Sequence, residues 1–62
     1  MTLIEKLAID QNITITKLAN DVGVSRPTVY GWYNGKEPSV QDIIKLAQVL
    51  NVQSSKIFKD YI

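Results

Sequence analysis

The sequence predicts an all-α fold, a single compact domain of five short helices, and three observations support this. Apolar residues recur along most of the chain at the three- and four-residue spacing of one helix face. Residues that start and stop helices, such as serine, threonine, glycine and asparagine, stand between these apolar segments. No segment alternates apolar and polar residues long enough for a strand, so no sheet is expected.

The first two helices are each marked by a cap and an apolar face. Residues 2–12 are predicted to form an amphipathic helix with Thr2 as its N-cap. Thr14 is predicted to cap a short second helix and Gly23 to end it, because glycine readily takes the left-handed conformation found at helix ends. The inward-facing residues of the second helix are Leu18, Ala19 and Val22.

The third helix is predicted to follow Ser25, its N-cap, and to run to Tyr33 or Asn34. Pro27 falls in the first turn, where a missing N–H has no cost. Because a proline disfavours the helical conformation of the residue before it, a start one residue later is the alternative. The predicted inward residues are Val29, Trp32 and Tyr33, and the outward ones are Pro27, Tyr30, Gly31 and Asn34.

The fourth helix is predicted to start at Ser39, its N-cap, after a loop over residues 35–38. Asn51 is predicted to end this helix by taking the left-handed conformation, which asparagine tolerates better than most residues. The apolar residues predicted to form its buried stripe are Val40, Ile43, Ile44, Ala47 and Leu50.

The fifth helix, predicted from Ser54 or Ser55 to Tyr61, carries more apolar side chains than one face of a short helix can bury. Ile57 is expected to pack on the core. An exposed apolar patch on so small a protein usually has a partner, so a symmetric dimer is expected. The residues predicted to form the dimer interface are Phe58, Tyr61 and Ile62. The alternative is that all of them fold inward over the first helix.

Composition and length exclude several classes of function. The chain has no cysteine and no histidine, so we expect no zinc site, no cofactor, and no thiol or imidazole catalysis. A length of 62 residues leaves little room for a deep catalytic cleft, so neither an enzyme nor a small-molecule substrate is expected. No apolar run approaches the ~20 residues of a bilayer helix, and the N-terminal segment lacks the pattern of a secretory signal. A cytoplasmic location without a membrane partner is therefore expected.

The second and third helices, at about residues 15–34, are joined by a three-residue turn. This arrangement indicates a DNA-binding function. A short turn containing glycine crosses two helices steeply and leaves the second one standing out from the surface. Such a helix can enter the major groove with its N-terminal residues at the base edges, while the preceding helix crosses the backbone. The formal net charge is only +1, yet Lys17, Arg26 and Lys36 are predicted to share one face.

A set of short pieces at fixed spacing extends over residues 15–52. They are Leu18-Ala19, Val22-Gly23-Val24-Ser25, Val29 with Trp32, Asn34-Gly35-Lys36 with Pro38-Ser39, and Leu46-Ala47 with Leu50 and Val52. In these pieces the chain resembles the helix-turn-helix family of the phage lambda repressor and Cro type. The resemblance implies a five-helix domain that binds double-stranded operator DNA as a dimer and represses transcription in a bacterial host cell, where it would be nucleoid-associated.

The resemblance also implies which residues meet the DNA. The expected base contacts are Arg26, Pro27 and Gly31, with Thr28 and Tyr30 beside them. Arg26 is the strongest reader because a guanidinium can bond bidentately to guanine, whereas Pro27 and Gly31 offer only apolar contact, for example with a thymine methyl group. The expected phosphate contacts are Thr14, Thr16, Lys17, Asn34 and Lys36.

The chain departs from the family pattern at three positions. Ile15 stands where a phosphate-binding glutamine is common, and Ala8 and Tyr33 stand where many relatives have a buried Arg–Glu pair. A larger repressor would continue beyond the last helix, so a Cro-like protein or a minimal regulator is favoured, with an excised N-terminal domain as the alternative. The dimer is expected to be weak and to be stabilised on DNA. The rival function is a protein-interaction module of the same fold, of the antitoxin or anti-repressor type.

Overall fold

The computed structural model describes residues 2–61, and it is helical in the way the sequence predicts. The helices are α1 (Leu3–Asp10), α2 (Ile15–Val22), α3 (Arg26–Tyr33), α4 (Val40–Leu50) and α5 (Ser54–Phe58), followed by a 3-10 turn at Lys59–Tyr61. The predicted all-α class with five helices is confirmed. Ile62, which the sequence assigns to a dimer interface, lies outside the described residues.

Three of the helices begin with the side-chain caps that the sequence predicts. In α1, α2 and α4 the hydroxyl of the N-cap accepts a hydrogen bond from the amide three residues later. The pairs are Thr2 with Glu5 (3.3 Å), Thr14 with Lys17 (3.1 Å) and Ser39 with Asp42 (3.2 Å). These bonds satisfy amides that no carbonyl within the helix can reach.

The third helix begins differently. Ser25 has the extended backbone of an N-cap, with φ −78° and ψ 158°, but its hydroxyl caps no amide. Its Oγ lies 2.9 Å from Oγ1 of Thr28 instead, so the two hydroxyls share one hydrogen bond. The helix begins at Arg26, which is the earlier of the two predicted starts, and it ends at Tyr33.

The first helix is shorter than the predicted range 2–12, because it ends at Asp10. Asn12 takes a left-handed conformation with φ +58°, which turns the chain out of the helix. The amide of Ile13 then donates to the carbonyl of Ala8 at 2.8 Å. Nε2 of Gln11 donates to the carbonyl of Leu50 at 2.7 Å, and this bond ties the end of α1 to the end of α4.

The core receives apolar side chains from all five helices. Its buried members are Ile4, Ala8, Leu18, Ala19, Val22, Val29, Trp32, Ile43, Leu46, Ala47, Leu50 and Ile57. No polar or charged residue is buried within residues 2–61. Helix α2 packs on α3 and α4, and α4 packs on α5. Since each fully buried large side chain contributes about 1.5–3 kcal/mol, apolar burial is the main stabilising term.

The predicted buried stripe of α4 is wrong at two positions. Val40 is 65% exposed and Ile44 is 47% exposed, whereas Leu46, outside the predicted stripe, is fully buried. Successive residues of a helix differ in direction by about 100°. The core lies on the side of α4 that carries Ile43, Leu46 and Leu50, which leaves Val40 and Ile44 on its flank.

The difference between the caps of α3 and α4 can be tested by unfolding. We expect Ser39→Ala to lower the free energy of unfolding by about 1 kcal/mol, because the amide of Asp42 loses its partner. Ser25→Ala should have a smaller effect, because no amide bonds to that hydroxyl. Urea unfolding of the two variants measures both changes, and equal losses would contradict this account of the caps.

Candidate nucleic-acid interface

The turn between α2 and α3 determines how α3 stands on the rest of the molecule. Gly23 ends α2 in a left-handed conformation, with φ +86°. The amides of Gly23 and Val24 both donate to the carbonyl of Ala19, at 2.8 and 3.0 Å. The side chain of Val24 is half-buried and packs against the core, so the turn is anchored from beneath. Helix α3 therefore leaves the turn with one side on the core and the other side outside.

The two sides of α3 carry different chemistry. Val29 and Trp32 are 0% and 2% exposed and hold the helix on the core. The predicted base-contact residues are all more accessible than these two. Arg26, Pro27 and Tyr30 are exposed, and Thr28 and Gly31 are half-buried. The exposed side of α3 thus offers one cation, one aromatic ring and a stretch with little side-chain bulk.

The predicted phosphate contacts lie at the two ends of the α2–turn–α3 unit. All of them are exposed: Thr14, Thr16, Lys17, Asn34 and Lys36. The first three stand at the N-terminus of α2, where free amides and the helix dipole favour an anion. The other two follow α3, in a loop where Gly35 has φ +105° and the amide of Lys36 donates to the carbonyl of Gly31 at 2.9 Å.

One of these cations already has a partner in the chain. Nζ of Lys17 lies 3.0 Å from Oδ2 of Asp21, one helix turn further along α2. The two side chains are 64% and 39% exposed, so water screens the pair, and pairs of this kind contribute only about 0.3–0.5 kcal/mol. Sequence reasoning missed Asp21, although the i, i+4 spacing of a lysine and an aspartate is a visible signal for such a pair.

The departures from the family pattern are occupied by packing residues. Ala8 is buried, and Ile15 and Tyr33 are half-buried and packed against the core. Burial raises the pKa of the Tyr33 phenol above its ordinary value, and the negative charge of Glu5 raises it further. Tyr33 is therefore neutral at physiological pH and adds no charge to the edge of α3.

The two described residues of the predicted dimer interface differ in burial. Phe58 is 45% exposed, whereas Tyr61 is half-buried against the core. The hydroxyl of Tyr61 is buried without a hydrogen-bond partner in the described chain. Burial raises the pKa of this phenol, and the negative charges of Asp60 and Glu37 add to the effect.

Phe58 lies instead beside the exposed flank of α4. An open groove of about 310 Å³ is lined by Val40, Ile43, Ile44, Ser54, Ser55 and Phe58. None of the six lining side chains carries a charge. Sequence reasoning missed this groove because it placed Val40 and Ile44 in the core.

Residues 2–61 contain no cluster of acidic side chains suited to hold a metal ion. No helix of the same range is long and apolar enough to cross a membrane.

A glycine turn between two short helices, with the second helix exposed along one side, defines a helix-turn-helix domain. The family model described as the Cro/C1-type HTH DNA-binding domain matches residues 4–61. The chain therefore belongs to this family, and the resemblance inferred from the sequence is confirmed. A search of curated proteins and a search of solved structures each gave no significant match.

The ion pair of Lys17 should limit its availability to DNA. We expect Asp21→Asn to raise the affinity for a DNA duplex about twofold, because releasing an exposed i, i+4 pair frees about 0.3–0.5 kcal/mol of interaction. Fluorescence anisotropy at two salt concentrations measures this change. Asp10→Asn removes the same charge from the exposed end of α1 and serves as the control. An equal gain in both variants would mean that net charge, not the pair, controls the affinity.

Proposed function

We propose that this chain is a sequence-specific transcriptional regulator, Cro-like or repressor-like, that binds palindromic operator DNA as a dimer. Its family is a DNA-binding one, and α3 would enter the major groove. The observation that supports the proposal is the exposed side of α3. This helix begins with Arg26, and the turn at Gly23 sets its orientation on the rest of the molecule. The role is one of binding rather than catalysis, exercised in the cytoplasm at the bacterial nucleoid.

Arg26 is the proposed principal reader of sequence. It is the first residue of α3 and is exposed, and the N-terminal residues of a recognition helix are those that reach base edges. A guanidinium can donate to O6 and N7 of one guanine, which discriminates against other bases by about 1–3 kcal/mol. Tyr30, one helix turn further on, would contact the major groove beside Arg26. Thr28 would contact the margin of the groove.

The phosphate contacts would position α3 without reading sequence. The N-terminus of α2 and the loop after α3 lie on either side of the recognition helix along the chain, so each can hold the DNA backbone at one edge of the groove. The proposed residues are Thr14, Thr16, Lys17, Asn34 and Lys36. Because only a few cations take part, the affinity should depend less on salt than in strongly basic repressors.

A second copy of the chain is the proposed occupant of the groove between α4 and α5. Its most exposed apolar residues are Val40, Ile44 and Phe58, at 65%, 47% and 45%. A two-fold axis brings the same surface of two copies together. An uncharged lining meets itself without repulsion between like charges, which suits this symmetry.

The proposed dimer interface is accordingly centred on Phe58, Val40 and Ile44. Tyr61, which is half-buried, would lie at its margin. Such a dimer would set two copies of α3 about 34 Å apart, one helical turn of DNA, on a palindromic site. The groove is open and small, so pairing would be weak in solution and stronger on DNA.

Selection of bound duplexes from a random pool tests whether the chain binds DNA sequence-specifically. We expect a palindromic consensus, and we expect Arg26→Ala to lose preference at one base pair in each half-site, worth about 1–3 kcal/mol. Lys56→Ala removes an equal charge from α5 and should leave the consensus unchanged. If no duplex is retained at low salt, the proposal fails and a protein-interaction module of the same fold becomes the better reading.

A charge placed in the groove tests the dimer. We expect Ile44→Lys to keep the fold, since the side chain is already 47% exposed, but to abolish pairing measured by sedimentation equilibrium. Ile9→Lys adds the same charge at another exposed isoleucine, 53% accessible on α1, and should pair as the unmodified chain does. Normal pairing of the Ile44 variant would remove this groove from the interface.

A further inference from the structure

Asn34 is the one asparagine of this chain that is followed by glycine. The carboxamide of an asparagine can be attacked by the amide nitrogen of the next residue. Gly35 leaves that nitrogen unhindered, because glycine has no Cβ atom. Both residues are exposed, and Asn34 is the C-cap of α3. The pair therefore combines a reactive sequence with access for water.

The other asparagines of the chain lie in less reactive settings. Asn12 and Asn51 each precede a β-branched residue, whose side chain crowds the attacking nitrogen. The amide of that next residue also donates to a backbone carbonyl, at 2.8 Å for Ile13 and 3.0 Å for Val52. Asn20 lies inside α2, where the helix fixes its backbone. Asn34 is thus the expected site of reaction.

The end of α3 closes around Asn34 through an exposed turn. The amide of Gly35 donates to the carbonyl of Trp32 at 3.1 Å. Asn34 has φ −89° and ψ 6°, so its backbone must rotate about ψ, and this bond must open, before the nitrogen can reach Cγ. Exposed backbone bonds at helix ends open at little cost in free energy. The reaction therefore requires only a local opening and not the unfolding of the chain.

We infer that Asn34 undergoes spontaneous deamidation and that the product binds DNA more weakly. The second half rests on the proposed function, in which Asn34 contacts a phosphate. Hydroxide removes the proton from the amide of Gly35, and the nitrogen attacks Cγ of Asn34. The new N–C bond closes a succinimide ring, while the bond from Cγ to Nδ2 breaks and that nitrogen leaves with a proton as ammonia.

Water then opens the ring at one of its two carbonyl carbons. Opening at Cγ gives aspartate, and opening at the backbone carbonyl carbon gives isoaspartate, whose main chain is one carbon longer. In both products a neutral carboxamide has become a carboxylate, so the formal net charge of the chain falls from +1 to zero. The new negative charge stands at a proposed phosphate contact, where it repels the DNA backbone.

Bound DNA should in turn slow the reaction. In the proposed complex the DNA backbone lies against Asn34 and Lys36, and the amide of Lys36 holds the loop to the carbonyl of Gly31 at 2.9 Å. A duplex that binds the closed turn opposes the opening that the attack requires. The free chain therefore loses its activity with age, whereas the bound chain is protected.

The first experiment follows the unmodified chain during incubation at two pH values, alone and with a duplex that it binds. Peptide mapping by mass spectrometry measures the conversion of each asparagine. We expect Asn34 to convert first, faster at the higher pH because the attacking nitrogen must lose its proton, and more slowly in the complex. Conversion of Asn34 no faster than that of Asn12 or Asn51 would overturn the inference. Equal rates with and without the duplex would overturn the protection by DNA.

A pair of charge variants tests the effect on binding. Asn34→Asp carries the charge of the product, and we expect its affinity for the duplex to fall about fivefold, the effect of two like charges about 4 Å apart in water. Gln48→Glu adds the same charge at an exposed position of α4 and should reduce the affinity less. Equal losses would assign the effect to net charge and overturn the role of this position.

A third variant separates deamidation from other forms of ageing. Asn34→Gln keeps a carboxamide but places it one carbon further from the attacking nitrogen. Measured against its own starting affinity, this variant should not decline during incubation, whereas the unmodified chain declines as Asn34 converts. An equal decline of both would overturn the inference. If no duplex is bound at low salt, the proposed function fails together with the loss of affinity, while mapping without DNA still decides whether Asn34 converts.

Discussion

The arrangement of the exposed residues depends on the left-handed backbone at Gly23. Any L side chain at this φ of +86° would add about 1–2 kcal/mol of strain. This conformation lets two successive amides bond to the carbonyl of Ala19 and brings Val24 under the turn. Without it α2 would continue in its own direction, and the outer side of α3 would have no fixed relation to the N-terminus of α2.

In the proposed interface, helix α3 would separate stability from recognition by assigning them to opposite sides. Its sequence is a poor helix, with Pro27 in the first turn and Gly31 in the middle. Isolated helices of eight residues are not stable in water, so this one depends on tertiary packing. Val29 and Trp32 provide that packing from the inner side. The outer side is thereby free to carry residues chosen for a partner rather than for helix propensity.

The sequence predicts best where local chemistry decides the structure. The caps at Thr14 and Ser39 and the left-handed Asn51 follow from residue type and position alone. Whether Ile44 is buried depends instead on which side of α4 faces the neighbouring helices. Spacing alone predicted too wide a buried stripe and wrongly included Ile44, which is 47% exposed. The hydrogen bond from the amide of Lys36 to the carbonyl of Gly31 depends on the course of the loop between them, which no periodicity determines.

The uncharged lining of the groove between α4 and α5 also bears on the order of assembly. Association without electrostatic steering proceeds at about 10⁵–10⁶ M⁻¹s⁻¹, whereas opposite charges accelerate encounter. The exposed Arg26 and Lys36 attract DNA over a distance, but nothing comparable draws two grooves together. In the proposed dimer, single copies would therefore reach the DNA first and find each other there, so that the nucleic acid acts as the template for pairing.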